Sequence, residues 1–496
     1  MFPRVMPVVA DRRTRQMMPQ VLLTCALVAV TTGAWAQDTR VVTEPVIPPA
    51  CVKLQAKIVA VGGTLREADE TLLDTARIQE AIDGFATKCK PGMAVELAQG
   101  PAVGRTAAAN AFLTGPLSLA EGVTLLVDRG VTMFASRNPA DYDVSGPGTC
   151  GTIPSKGPCK ALITIRAKNV AIMGDGVIDG RGGAKLLGQN ISWWGLAVQG
   201  EPTDARPSGI PYSDPRLISA SNADGFTLYR ITLHNSPNFH VGVSQTNGFT
   251  AWGVHLKTPT VEPGPGDPRP RNTDGIDPGS STNITIAHSW IDNGDDNVAI
   301  KTGVTHISVI DNHFYSGHGM SIGSETNTGD SFLLVDRLTE DHTTSGIRIK
   351  SNATRGGLVH DMVYRNICMR NVPMPIAISP YYNNQTTEDF VDPGIKGDRI
   401  PDYKNITIEN VTDETPGDVL IAGYDDEHRT QVNLVDVTIK GITPDKMHLK
   451  LADIRNDGTN LPLAKAAEGN DVKVTPVDVK ALAKPYSCDG KFVPMQ

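Results

Sequence analysis

Four short motifs between residues 272 and 350 carry acidic, imidazole and cationic side chains that could together perform acid–base chemistry. They lie at residues 272–277 (NTDGID), 294–297 (GDDN), 317–319 (GHG) and 348–350 (RIK). The steps from Asp274 to Asp295, from Asp296 to His318 and from His318 to Arg348 are of similar length. Such regular spacing is what a repeating fold produces when each repeat contributes one motif.

These residue types suit the cleavage of a glycosidic bond, which needs an acid for the leaving oxygen and a base that activates water. Neighbouring carboxylates raise one another's pKa, so we expect one of the three aspartates to hold a proton and act as the acid. Arg348 and Lys350 alternate along one strand and therefore point to one face, where they could bind a substrate carboxylate.

Each motif alone has a simpler explanation. Asn-Thr-Asp-Gly and Gly-His-Gly are commonly turns, Gly-Asp-Asp is a turn or a calcium ligand set, and Arg-Ile-Lys is usually a solvated strand face. The four motifs in this order, each about one coil from the next, favour one site. No Cys or His spacing indicates a zinc site, and we expect no metal and no other cofactor.

The elements that must position the motifs are short strands. From about residue 163 onward, apolar-alternating runs are separated by Gly, Asn and Asp, and the clearest units recur with a period in the range typical of solenoids. This pattern predicts an all-β fold, a single-domain right-handed parallel β-helix. Its strands stack about 4.8 Å apart, so residues one coil apart share a sheet and a face.

Two further segments complete the predicted domain, residues 37–496. Residues 74–83 carry apolar side chains at helical spacing behind an N-cap-type Asp74, which predicts a short helix that covers the N-terminal end of the core. The Pro/Gly-rich stretch 261–271 interrupts a repeat and is interpreted as a loop. Because it enters the coil of Asp274 it could wall the cleft, and such a wall would favour attack from chain ends.

Residues 1–36 predict a secretory signal peptide. A basic run (12–15) precedes a short apolar run (21–30) and a small-x-small site (34–36), and the apolar run is too short to span a bilayer well. We expect cleavage after Ala36 and a soluble, secreted protein, with the periplasm as the alternative location. Translation could also begin at Met17 or Met18.

Removal of the signal peptide lowers the formal charge from -8 to about -11, which argues against a nucleic-acid partner. Any polyanionic substrate must then meet a local basic cluster. Six cysteines remain without Cys25, and an even number in an exported chain suggests disulfides. We favour Cys150 with Cys159, consider Cys51 with Cys89 plausible, and leave open whether Cys368 and Cys488 pair.

The motifs resemble, in this order, those of the polygalacturonases of glycoside hydrolase family 28. The chain is similar to the bacterial endo-polygalacturonases over nearly all of its mature length, most closely at residues 236–350. Within that stretch, residues 317–325 (GHGMSIGSE) are especially similar to the enzymes of bacterial plant pathogens. Upstream, residues 74–83 and 113–117 resemble the family's N-terminal coil. The resemblance implies hydrolysis of the α-1,4 bonds of polygalacturonate with inversion.

The resemblance also implies catalytic roles for individual residues. Asp295 matches the general acid of the family. Asp274 and Asp296 match the pair that activates water. His318 matches the histidine that supports the protonation of the acid and its hydrogen bonds.

Four residues are assigned to substrate binding. By the resemblance, Arg348 and Lys350 hold the galacturonate carboxylate at the cleavage site, and Tyr382 falls at a substrate-contacting tyrosine. Tyr382 could instead pack a loop. Asn272, in the same motif as Asp274, completes the set.

Several alternatives stay open at this point. Stacked coils would set Asp274 about 5 Å from the Gly-Asp-Asp carboxylates, a separation typical of retaining enzymes, whereas the family implies inversion, which we follow. Endo action is preferred over exo-polygalacturonase or rhamnogalacturonan hydrolase activity. A pectate or pectin lyase is less favoured, because aspartates that act as acid and base suit hydrolysis better than β-elimination. A non-catalytic polysaccharide-binding β-helix would leave their convergence unexplained. We expect a monomer without a nucleic-acid or membrane partner.

Overall fold

The computed structural model describes residues 37–495 except 103–106, 204, 207, 259–268, 384–390 and 478–484. The predicted signal peptide, with Cys25, lies outside the described residues, as does most of the predicted loop at 261–271. At the end of that loop, Arg269 and Arg271 form ion pairs with Glu201. Within the described ranges, no helix has both the length and the apolar character needed to cross a bilayer.

Short strands make up most of the regular structure. In chain order they are β1 Ala50–Gln55, β2 Ala94–Ala98, β3 Ala111–Thr114, β4 Leu117–Leu119, β5 Thr124–Val127, β6 Thr132–Ala135, β7 Ile163–Ile165, β8 Ala171–Met173, β9 Val177–Asp179, β10 Ile218–Ser221, β11 Thr227–Tyr229, β12 Thr232–His234, β13 Val241–Ser244, β14 Thr250–Trp252, β15 His255–Lys257, β16 Ile276–Gly279, β17 Thr282–Ala287, β18 Trp290–Asp292, β19 Val298–Ile300, β20 Thr305–Phe314, β21 Met320–Gly323, β22 Asp330–Asp341, β23 Ser345–Lys350, β24 Leu358–Arg370, β25 Met374–Ser379, β26 Asp402–Asp413, β27 Val419–Ala422, β28 Thr430–Ile439, β29 Met447–Lys450, β30 Ala452–Asp457 and β31 Lys473–Pro476.

Helices are few and short. The α-helices are α1 Thr75–Asp83, α2 Phe85–Lys88, α3 Trp193–Gln199 and α4 Leu463–Ala466, and 3-10 turns occupy Glu67–Asp69, Pro139–Tyr142 and Pro444–Lys446.

The described strands form two sheets. One has eleven strands, in the spatial order β4, β7, β10, β13, β16, β19, β21, β23, β25, β27 and β29, and the other has twenty. Successive strands of the eleven-stranded sheet pair in parallel, each with the corresponding strand of the next coil. This architecture confirms the predicted parallel β-helix.

The twenty-stranded sheet bends along a line where each coil carries a residue in the left-handed backbone conformation. The φ values at Arg230, His288, Asp311 and Arg337 are 60°, 52°, 54° and 57°. Such a residue turns the chain sharply within a single position. Strand β20 pairs with both β17 and β18, so the two strand segments of earlier coils merge there into one long bent strand.

Apolar side chains stack inside the coils. Ile276, Val298, Met320 and Ile347 follow one another across adjacent strands, and all are fully buried. Burial of apolar surface stabilises the fold by about 25 cal/mol per Å². Because alternate residues of a strand point to opposite faces, the register that stacks these side chains also aligns the outward-facing residues in rows.

Helix α1 packs against the main core through Ile78 and Ile82, as the predicted capping helix should. Asp74 occupies the N-cap position, but its carboxylate makes no capping hydrogen bond and instead accepts one from Arg77 at 2.5 Å. The helix therefore begins where predicted, with an ion pair in place of the expected cap.

Three disulfides are formed by the six described cysteines. Cys51–Cys89 and Cys150–Cys159 are the pairs that the sequence favoured, with Cα–Cα distances of 5.7 and 5.0 Å. Cys368 and Cys488, left open above, are also bonded. This third bond joins β24 to a segment 120 residues away, so it constrains the longest loop of the three in the unfolded chain.

Candidate active site

The four sequence motifs meet on the outer face of the eleven-stranded sheet. Asp274 and Asp296 lie just before β16 and β19, and the amide of Gly275 donates a 2.9 Å hydrogen bond to the carbonyl of Asp296. Further along, Ser321 on β21 pairs with Arg348 on β23. Residues from four different repeats are thereby brought together by strand register alone.

Asp296 is the most tightly held carboxylate of this group. Its Oδ1 accepts hydrogen bonds from Arg348 Nη1 at 2.9 Å and Ser321 Oγ at 2.7 Å. Its Oδ2 accepts one from Lys350 Nζ at 2.7 Å, and only 1% of the side chain is exposed. Charge-assisted bonds of this length are strong, and they fix the carboxylate in one orientation.

Asp295 is the more accessible neighbour, with 18% of its side chain exposed. Its Oδ1 lies 3.3 Å from His318 Nδ1, and its Oδ2 accepts a 3.3 Å hydrogen bond from Asn272. Asn272 in turn accepts a 2.8 Å bond from the Tyr212 hydroxyl. Asp295 is thus oriented from two sides and still open to the cleft.

The glycines on either side of His318 are required by close backbone contacts. Gly319 has a φ of 77°, and a Cβ there would lie 2.0 Å from the carbonyl oxygen of Ser345. At Gly317, with a φ of 108°, a Cβ would lie 2.6 Å from the Asp295 carbonyl oxygen. The tight turn between them sets His318 beside Asp295.

A second acidic pair surrounds Lys301. The Lys301 ammonium lies 3.8 Å from a carboxylate oxygen of Asp274 and 3.8 Å from one of Asp277, and it donates to the Gly323 carbonyl at 3.3 Å. One oxygen of Asp274 and both oxygens of Asp277 are buried without a hydrogen-bond partner in the described part of the chain. Lys301 is therefore the main counter-charge of both carboxylates.

These environments push the carboxylate pKa values apart. Burial raises the pKa of Asp274 well above its usual range, and the charges of Asp295 and Asp277 raise it further. Burial also raises the pKa of Asp277, to about 7, although Lys301 opposes the shift. At Asp296 burial acts in the same direction, but Lys350 and Arg348 outweigh it and hold the pKa at about 2.

The pKa of Asp295 is also lowered, because His318 outweighs the effect of burial. At mildly acidic pH the free site therefore carries protons on Asp274 and Asp277 while Asp295 and Asp296 are ionised. Titratable groups with pKa values driven in opposite directions by their surroundings are the usual basis of acid–base assignments.

Comparison with known proteins identifies the family. The profile of the glycosyl hydrolases family 28 matches residues 110–458, which contain all four motifs. The chain belongs to this family. It is therefore a glycoside hydrolase, and the resemblance seen in the sequence is confirmed.

Relatives within family 28 match most of the chain. A polygalacturonase of Ralstonia solanacearum is 41% identical over 79% of this chain and 78% of its own length. An endo-polygalacturonase of Pectobacterium parmentieri is 40% identical over 82% of this chain and 91% of its own length. The solved structure of a polygalacturonase from Erwinia carotovora ssp. carotovora superimposes with a TM-score of 0.70 at 38% identity, covering 85% of this chain and all of that one.

Tyr382 lies against the cation pair Arg348 and Lys350. Its ring centroid is 5.2 Å from Lys350 Nζ and 5.9 Å from Arg348 Cζ, within the range of a cation–π contact. Its backbone amide donates to the Ser351 carbonyl, which anchors it beside β23. The tyrosine is half-buried.

One group of side chains could in principle hold a metal ion. Ligand atoms of Asp295, Asp296 and His318 all lie within 4.8 Å of one another. A cation placed there would meet the positive charges of Arg348 and Lys350, which already engage both oxygens of Asp296. The arrangement suits acid–base chemistry better than the binding of a metal ion.

Three residues of the site were not assigned a role from the sequence, namely Asp277, Lys301 and Ser321. The signal for Lys301 was available. Gly323 pairs with Lys350, and Lys301 precedes Gly323 by the length of one coil. Counting two coils backward from Lys350, by way of Gly323, would have found Lys301, the third cation of the site.

Asp214 lies at the edge of the site and has an unusual environment. Asn238 donates a 3.1 Å hydrogen bond to its Oδ1, while its Oδ2 is buried with no partner among the described residues. Burial raises the pKa of Asp214 to about 8. A buried carboxyl group of this kind is stable as the neutral acid and unfavourable as the anion.

Replacing this carboxyl group should change the pH dependence of stability. The pKa of Asp214 is higher in the folded than in the unfolded protein. Its contribution to the free energy of unfolding is therefore fully present below pH 4 and is lost as pH rises toward 8. Asp214→Asn keeps the acceptor for Asn238 and cannot ionise. We expect it to stabilise the protein at pH 8 by up to about 5 kcal/mol and to leave stability at pH 4 nearly unchanged.

The measurement is thermal unfolding across this pH range, with Asp457→Asn, an exposed carboxylate on β30, as the matched control. Equal effects of Asp214→Asn at pH 4 and pH 8 would contradict the assigned environment.

Proposed function

We propose that the chain is a secreted endo-polygalacturonase that hydrolyses the α-1,4-galacturonosidic bonds of polygalacturonate. The observation that carries the proposal is the buried Asp296 carboxylate between Arg348 and Lys350, beside the more accessible Asp295. Cations next to paired acids suit a polymer with a carboxylate on every sugar. The relatives in Ralstonia and Pectobacterium, named polygalacturonase and endo-polygalacturonase, support this substrate and the endo mode.

Arg348, Lys350 and Tyr382 form the binding site for the carboxylate of the sugar at the cleaved bond. Each cation donates one hydrogen bond to Asp296, and each has further N–H groups that can bind a substrate carboxylate. The Tyr382 ring limits the space beside them. Asn272 acts on Asp295 through its hydrogen bond, and a direct contact of Asn272 with substrate stays a prediction.

Substrate binding moves the proton to the residue that must donate it. The free site carries a proton on Asp274, whereas the pKa of Asp295 is lowered. A bound galacturonate adds a negative charge, competes for Lys350 and Arg348, and excludes water, and each effect raises the pKa of Asp295. Asp295 then takes up the proton and donates it to the leaving oxygen, with His318 holding its Oδ1.

The same transfer creates the base. Asp274 becomes ionised when it gives up its proton, and together with Asp296 it can accept a proton from the attacking water. Lys301, 3.8 Å away, stabilises the new charge on Asp274. In this scheme water attacks from the side opposite the leaving group, which inverts the configuration at the anomeric carbon.

The product profile tests the reaction and its mode. The mature chain, residues 37–496, is incubated with polygalacturonic acid without added metal, while viscosity, reducing ends and oligomer sizes are followed. We expect a rapid fall in viscosity with mixed saturated oligomers, and the β-anomer as the first product by NMR because the bond cleaved is α. Monomer or dimer release at nearly constant viscosity would instead indicate an exo-enzyme, and ultraviolet absorbance of unsaturated products a lyase.

Asp295→Asn tests the assignment of the acid. Without a proton to donate, kcat should fall by about 10²–10⁴-fold, while thermal unfolding changes little because the amide still accepts from Asn272. Asp457→Asn serves again as the exposed control. A variant that retains full turnover would remove Asp295 from the mechanism, and a wild type that only binds polysaccharide would favour a non-catalytic β-helix.

Export rests on the predicted signal peptide at residues 1–36 and on the even number of mature cysteines, all bonded in pairs. When the full chain is expressed in a bacterial host, the protein recovered outside the cytoplasm should begin at Gln37 by N-terminal sequencing. Ala36→Arg, which spoils the small-x-small site, should block this cleavage. An exported protein that keeps residues 1–36 would contradict the proposed processing.

A further inference from the structure

Arg216 is a cation two coils before Asp274 that forms no ion pair with any described carboxylate. It lies two residues before β10 and is exposed, and no described carboxylate forms an ion pair with its guanidinium. Arg348 differs from Arg216 in exposure and pairing, because only 3% of its side chain is exposed and its guanidinium forms an ion pair with Asp296. An uncommitted arginine beside a polyanion cleft has its hydrogen-bond donors available for substrate.

The ring of Phe239 holds the Arg216 guanidinium in place. The guanidinium carbon lies 4.7 Å from the ring centroid, and the amide of Leu217 donates to the Phe239 carbonyl at 3.0 Å, so the two residues are neighbours on adjacent coils. A guanidinium that stacks on a ring keeps its N–H donors in its own plane. That arrangement leaves the edge of the group free to accept a carboxylate through two parallel hydrogen bonds.

Gly242 gives the guanidinium its path toward the acidic cluster. A Cβ at Gly242 would lie 3.3 Å from Arg216 Nη1, so the arginine runs across this position on the outer face of the sheet. Gly242 pairs with Asp277 on the next coil. The guanidinium therefore lies over the row of residues that leads to Asp277.

The coil order sets the distance between Arg216 and the catalytic carboxylates. β10 pairs with β13 and β13 with β16, so Arg216 lies two coils before Asp274. In the other direction β23, with Arg348, lies two coils after β19, which follows Asp296. At about 4.8 Å per coil, the strand that follows Arg216 and the strand that carries Arg348 lie on opposite sides of the acidic cluster along the helix axis, each with its backbone roughly 10 Å away.

The nearest acids do not neutralise Arg216. Asp214 and Asp277 both sense its charge, and burial raises their pKa values to about 8 and about 7. Both carboxyl groups are consequently protonated at mildly acidic pH, and Arg216 keeps an uncompensated positive charge there.

We propose that Arg216, held on the ring of Phe239, binds the carboxylate of a second galacturonate residue, on the side of the acidic cluster opposite Arg348 and Lys350. This inference rests on the proposed function and extends it, because it adds a subsite for the same polymer. Phe239 is a positioning residue here, since its ring is covered by the guanidinium and also lies 5.8 Å from Lys301 Nζ.

The test compares Arg216→Gln with Arg455→Gln, an exposed arginine on β30 in the other sheet. Both variants and the wild type are assayed on short saturated oligogalacturonides. We expect Arg216→Gln to raise KM by about 10-fold with kcat within about 2-fold of the wild type, because a charge-assisted contact made equally in ground and transition states is lost. The preferred cleavage position on end-labelled oligomers should also shift, whereas Arg455→Gln should change neither.

Phe239 supplies a second, independent variant pair. Phe239→Leu keeps an apolar side chain but removes the aromatic face, and it should raise KM in the same direction as Arg216→Gln. Phe239→Tyr retains the face and should restore wild-type KM. A KM effect of similar size in both Phe239 variants would indicate a purely structural role.

Failure of this inference differs from failure of the proposed function. A wild type that hydrolyses polygalacturonate, with Arg216→Gln unchanged in KM and in cleavage position, overturns the subsite alone. A fall in kcat at unchanged KM also overturns it, because binding would then not be the role of Arg216. A wild type with no activity on polygalacturonate overturns both.

Discussion

In-register pairing of parallel strands is the constraint on which the whole cleft depends. A slip of one residue in the pairing would turn every outward side chain of a strand into the core. The buried stack of Ile276, Val298, Met320 and Ile347 therefore also fixes the row of outward-facing side chains. Ser321 and Arg348 are set side by side by backbone hydrogen bonds rather than by a loop. Side chains mounted in this way need little rearrangement to keep their distances.

The same register creates an electrostatic difficulty, because aspartates on adjacent coils are forced close together. The structure resolves it in two ways. Asp296 accepts hydrogen bonds from two cations and a hydroxyl, which keep it ionised. Asp274 has the Lys301 ammonium at 3.8 Å as its main counter-charge, and burial and the neighbouring carboxylates keep it protonated. Two carboxylates of one cluster are thereby driven to opposite protonation states, and the difference supplies the single proton that acid–base chemistry requires.

Sequence reasoning predicted the parts of this site that depend on coil spacing. The β-helix, α1 and two of the disulfides were predictable, because periodicity, helical spacing and even cysteine numbers are local or countable signals. Coil lengths vary, so a count along the chain cannot separate two adjacent aspartates. Counting residues along the chain placed Asp295 one coil after Asp274. The backbone hydrogen bonds instead place Asp296 opposite Asp274 on the next coil. Lys301 and Asp277 were missed because they matter through burial and mutual distance, and neither property is visible in a motif.

The charge balance of the cleft explains how an acidic protein can attract an acidic polymer. At mildly acidic pH, the cations Arg348, Lys350, Lys301 and Arg355 face three ionised carboxylates, Asp295, Asp296 and Glu325, because Asp274 and Asp277 hold protons. The local charge is therefore positive although the chain carries a formal charge of -8. As pH rises through the pKa of Asp277, about 7, that carboxylate ionises and cancels the surplus. The electrostatic attraction for the substrate thus depends on the protonation of the same group of carboxyl side chains that the chemistry uses, and it weakens as they ionise.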